Sequence, residues 1–109
     1  MAKRQVMLTK PVLKKLPALY ANEGKEAEQV KVPLKLFNPQ GPQTWYITEL
    51  DPETKRAFGY VTGMGFDELG YIDLNELEAI QLPFGMYIER DIHWNMDNTL
   101  AQVMNGEKR

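Results

Sequence analysis

The stretch Thr44 to Asp73, TWYITELDPETKRAFGYVTGMGFDELGYID, decides the fold. Trp45 to Leu50 and Ala57 to Thr62 are rich in aromatic and β-branched residues, whose side chains pack well on a pleated surface, so both read as strands. Asp51-Pro52 between them reads as a turn. Proline sets φ for the second turn position, and the aspartate before it accepts hydrogen bonds from the backbone beyond. The two strands therefore form an antiparallel hairpin that reverses over Asp51 to Arg56. Gly63-Met64-Gly65 then breaks the pattern, and Leu69 to Ile72 makes a further short strand.

Toward the C-terminus, Asp73 and Glu76 have capping-box spacing and start a short helix whose apolar face is Leu74, Leu77 and Ile80. Pro83 and Gly85 close it. Met86 to Trp94 alternates as a half-buried strand does, with Ile88, Ile92 and Trp94 on one face and Tyr87, Glu89, Asp91 and His93 on the other. The tail from Met96 reads as a weak helix with Leu100, Val103 and Met104 as its apolar contacts, frayed after Gly106.

Toward the N-terminus, Thr9 is an N-cap and Pro11 falls in the first turn, where a missing donor costs nothing. A helix from Lys10 to about Asn22 follows, with Val12, Leu13, Leu16, Leu19 and Tyr20 as its stripe. Pro17 conflicts with it and predicts a kink or an early stop. Val30, Val32, Leu34 and Leu36 alternate with Lys31, Pro33 and Lys35, a period of two that puts the aliphatics on one face. Pro33 cannot donate to a ladder and predicts an edge position or an unpaired side.

These elements predict one α+β domain over residues 1–109: an antiparallel or mixed sheet of about five strands, the N-terminal helix on one face, and a short helix before the last strand. Ile47, Val61, Ile88 and Ile92 are expected on the buried side, toward the helices. With 109 residues and 43% hydrophobic content the core is real but modest. Cysteine is absent, which excludes a disulfide framework, a thiolate metal site and a cysteine nucleophile, and fits a cytoplasmic location. The start, MAKRQVML, lacks an apolar stretch of signal length, and nothing approaches the roughly 20 apolar residues that span a bilayer, so no membrane partner is expected.

The net charge of −2 hides an uneven distribution. Residues 1–35 hold eight bases against three acids, and residues 36–109 hold five against twelve. The aromatics lie in the acidic part rather than among the lysines, which disfavours direct nucleic-acid binding. A protein partner is the expectation instead.

Glu89, Asp91 and His93 stand at i, i+2 and i+4, so on a strand all three point one way, and such ligands suit zinc or manganese. Alternation produces such trios routinely, and the preferred reading is a solvated strand face with no metal and no cofactor. His93 is the only histidine, so a zinc site would have to lean on Glu49 or Glu68. Gly63, Gly65 and Gly70 are turn glycines, because no helix follows to aim amides at an anion and no P-loop lysine is present. Serine is absent, which excludes a serine nucleophile. Trp45, Tyr46, Tyr60, Phe66, Tyr71, Tyr87 and Trp94 are more aromatics than one sheet face needs; most should be core, a Tyr or Trp left exposed on the second face would be an interface anchor, and Tyr87 is the candidate. The candidate interface is Asp67, Glu68, Tyr87, Glu89, Asp91 and His93, with no catalytic residue assigned.

LKLFNP, TWYITELDP, AFGYVTG, ELGYIDLNELEAI and YIERDIHW, in that order over residues 34–94, resemble the successive blocks of a family of small bacterial proteins known as a domain of unknown function. The resemblance implies a protein carried by plasmids and conjugative elements, with no reaction and no catalytic residues to transfer. The expected function is a non-enzymatic, protein-binding accessory factor. The alternatives are an acidic antagonist that imitates DNA toward a host defence protein, motivated by eleven acids against three bases from Glu49 to Asp97, and a small metal-dependent enzyme using Glu89, Asp91 and His93.

Overall fold

The computed structural model describes residues 5–106. The expected basic start and the fraying beyond Gly106 fall outside them. Strands β1 (Leu34–Phe37), β2 (Thr44–Leu50), β3 (Arg56–Thr62) and β4 (Glu68–Asp73) form an antiparallel meander. A fifth strand, β7 (Glu89–Arg90), pairs antiparallel with β1, so the order across the sheet is β4-β3-β2-β1-β7. The α+β class and the five strands agree with the sequence.

The central hairpin turns as its chemistry demands. The Glu53 N–H donates to Asp51 Oδ1 at 3.0 Å, and the Asp51 N–H to the Arg56 carbonyl at 2.8 Å. Within β2 the register passes from Ile47↔Gly59 to Glu49↔Phe58, which leaves Thr48 as a bulge. The Thr48 hydroxyl donates to the Phe58 carbonyl at 3.0 Å. A bulge resets the side-chain alternation. Leu50 thereby joins Ile47 on one face, and Glu49 joins Tyr46 on the other. The distortion presses Tyr46 against Gly59, where a Cβ would lie 2.0 Å from the Tyr46 carbonyl oxygen, so only glycine fits.

One face carries Leu34, Leu36, Trp45, Ile47, Leu50, Ala57 and Ile72, buried beneath Met7, Val12, Leu74, Leu77 and Ile88. The opposite face carries Tyr46, covered by Val30, Val32, Leu100 and Val103 with Tyr60 and Trp94 packed alongside. Helix α2 (Leu74–Ala79) is capped by Asp73, whose carboxylate accepts the Asn75 N–H. Helix α3 (Leu100–Met104) starts at Thr99 with a capping box to Gln102. Leu100 and Val103 are buried as expected, whereas Met104 is exposed.

Several expectations need correction. Helix α1 spans Lys10–Lys15 instead of reaching Asn22, and the early stop expected at Pro17 is realised, because that proline drives Leu16 to an extended ψ of 117°. Val12 is its only buried residue, and Leu13 and Tyr20 are exposed. The first strand begins at Leu34 and lies between β2 and β7 rather than at an edge. Pro33 sits just before its ladder and is fully buried. There the alternation slips, so Val30 and Val32 pack on the opposite face from Leu34 and Leu36. The segment from Met86 to Trp94 is not one strand. Strand β6 (Met86–Tyr87) pairs with β5 (Gln81–Leu82) in a separate hairpin around the turn Pro83–Gly85, and β7 joins the main sheet. Ile47 and Ile88 are buried, Val61 is half-buried, and Ile92 is 60% exposed.

Candidate functional site

Beyond β7 the chain turns. Asp91 Oδ1 accepts the His93 N–H at 3.0 Å, and the Asp91 N–H donates to the Lys35 carbonyl. Asp91 also pairs with Lys35 at 3.3 Å, and the ammonium lies 5.3 Å from the Trp94 ring centroid. His93 stands exposed in the turn, Glu89 lies opposite Phe37 in the sheet, and Tyr87 is half-buried in the small hairpin. The expected common face of Tyr87, Glu89, Asp91 and His93 therefore does not form, because the chain changes partner at Ile88 and reverses after Asp91. Among the described residues no group of three histidine or acidic side chains could hold a metal ion. Asp67 and Glu68 are exposed, Asp67 just before β4 and Glu68 at its start, away from Tyr87, Glu89, Asp91 and His93.

The concave site lies on the second sheet face. Tyr20, Glu49, Phe58, Leu69 and Tyr71 line a cleft of about 380 Å³, within the range of ligand-binding pockets. Its floor is Glu49, which is buried. One carboxylate oxygen accepts the Tyr20 N–H at 2.8 Å and the other the Asn22 N–H at 3.0 Å. These bonds spread the charge of Glu49 into the 20–22 segment, so the carboxylate anchors a wall of the cleft rather than standing ready as a base or a zinc ligand. Tyr20 itself adopts φ 71°, an unfavourable region for a side-chain-bearing residue.

Tyr71 forms the ridge. Its ring meets Phe58 edge-on at 5.3 Å and Tyr20 edge-on at 6.4 Å, and the Arg56 guanidinium carbon lies 4.2 Å from its centroid. It is nevertheless 50% exposed, and Leu69 beside it 44%. The side-chain hydrogen bond with Tyr20, and then burial, raise the Tyr71 phenol above its ordinary value, so the ridge is uncharged at neutral pH. On its far side a groove lined by Arg56, Asp51, Asp73 and Glu76 continues the surface.

Sequence reasoning anticipated an exposed aromatic anchor and placed it at Tyr87, whereas Tyr87 is half-buried in the small hairpin and the open aromatic of the second face is Tyr71. The available signal is the broken phase of Trp45, Ile47 and Leu50, which marks the bulge that turns Glu49 toward Phe58 and Tyr71. No helix among the described residues is long and apolar enough to cross a membrane. No curated protein and no solved structure matches the chain. Residues 7–108 match the model of DUF2958, described as a protein of unknown function, and the chain belongs to that family.

Proposed function

We propose that the chain is a non-enzymatic, protein-binding accessory factor of a bacterial mobile element, acting in the cytoplasm through the cleft beside Tyr71. The observation that carries this reading is an aromatic ridge held on three sides yet half open to solvent. Ordering such a ring on binding costs little entropy, because its neighbours already fix it, and tyrosine is a frequent interface anchor. Glu49, whose two oxygens both accept main-chain N–H groups, supports a positioning role over acid–base work. The mobile-element setting rests on the ordered blocks over residues 34–94.

The acidic-antagonist alternative draws on Asp51, Asp73 and Glu76, which share the groove next to Tyr71. Against it, Lys35 and Lys55 pair with Asp91 and Glu78, and Asp67 and Glu68 stand at the opposite end of β4 from that groove. Matched affinity captures with wild type and Tyr71→Ala test the reading. The expected outcome is a stoichiometric protein retained by wild type and weakened about tenfold or more by the substitution, with melting temperature nearly unchanged. Equal retention by both would remove the cleft as the interface.

A further inference from the structure

We propose that the partner binds as an added strand: an extended, basic segment of another protein pairs with the outer edge of β4 and lays alternate side chains over the Tyr71 cleft. This rests on the binding reading above and specifies its geometry. Strand β4 is outermost in the sheet and keeps register with β3 from Val61↔Glu68 to Arg56↔Asp73 without a bulge. Among the described residues no other segment hydrogen-bonds to the main chain of 68–72. Its outward N–H and C=O groups are therefore a template for pairing. The opposite edge is closed, because the Arg90 N–H donates to Gln5 Oε1 and the Arg90 guanidinium to the Val6 carbonyl.

Natural edges are blunted by lysine, proline or a bulge, and β4 carries none of these. Acids flank it instead, Asp67 and Glu68 at one end and Asp73 at the other. They select the occupant by charge. A second copy pairing antiparallel about Gly70 and Tyr71 would set Glu68 opposite the copy's Asp73, and like charges directly opposite destabilise a pair. Lysine or arginine near both ends of an incoming strand gains attraction at the same positions. Leu69 and Tyr71 share a face, so the incoming strand needs two apolar residues at i and i+2 to cover them. Gly70 lies between them on the other face, with open space where a side chain would stand.

The test uses the full chain and a displayed library of random peptides about nine residues long, a length that spans β4 with a margin. The enriched peptides are expected to be basic with alternating apolar residues. Hydrogen exchange of the full chain with such a peptide should slow at alternate amides of 68–72, N-methylation of the peptide should weaken binding at one parity only, and Leu69→Lys should weaken it about tenfold without shifting the melting temperature. Peptides that bind and lose affinity with Tyr71→Ala, yet protect the 20–25 segment instead of β4, would overturn strand addition and leave the cleft as an interface. Absence of any enriched peptide together with an equal wild-type and Tyr71→Ala capture would overturn both. Concentration-dependent protection of β4 in the chain alone would make the occupant a second copy and overturn the basic segment.

Discussion

Tyr20 holds a left-handed backbone conformation at the lip of the cleft, and Glu49 is what holds it there. Its two oxygens meet two converging N–H donors, and Asn22 adds a side-chain bond to the Thr48 carbonyl at 3.4 Å, so the loop is tied to the bulge from both directions. Glu49→Gln keeps the size of the side chain but replaces one acceptor with an amide donor, which then faces another donor. Leaving a buried donor unsatisfied costs about 1–3 kcal/mol. Urea denaturation should show that loss with an unchanged slope, and amides at 20–22 should exchange faster. A variant as stable as wild type would mean that the carboxylate does not organise the loop.

At the scale of elements, the change of partner at Ile88 is the decisive departure from a regular strand. Ile88 is buried against the core that holds Leu34 and Leu74, whereas Ile92, of the same parity, projects into solvent after the Asp91 turn. Ile88→Ala should therefore cost about 2–5 kcal/mol through lost transfer energy and a cavity, and Ile92→Ala should stay within about 0.5 kcal/mol. Parallel thermal melts decide it, since equal losses would mean one continuous buried face. The same contrast marks what was legible in the sequence. The Asp51 turn, the Asp73 cap and the Thr9 cap could be read because each is set by side chains a few residues away. Pairing of β1 with β7 could not, because residues 37 and 89 meet only through the sheet. Of the two readings of Pro33, the unpaired one holds and the edge one does not: it lies before the ladder begins, so its missing donor costs nothing even beside a central strand.

For the whole molecule, the sheet has one face buried beneath Met7, Val12, Leu74, Leu77 and Ile88 over its central strands, and one covered only over part of its width, near Tyr46. The sequence announced a surplus of aromatics for this second face, but which stay open depends on where Val30, Leu100 and Trp94 settle, a tertiary outcome. Tyr46 lies under that cover, its ring 5.7 Å from Trp94. Burial pushes its phenol above the ordinary value of 10.0, an effect that the nearby Lys35 charge only offsets. The folded state therefore favours the neutral phenol, and the unfolded chain ionises first as pH rises. Stability from this group is complete below the unfolded value and is lost as pH climbs through the folded one. Tyr60, raised by burial, and Tyr71, raised first by its Tyr20 hydrogen bond, act in the same sense. Urea midpoints measured from about pH 8 to about pH 11 should fall steeply above the ordinary tyrosine range. Tyr46→Phe cannot ionise, so its stability should decline more gently over the same range. Parallel declines of the two proteins would show that Tyr46 is not the buried phenol that ties this face to its cover.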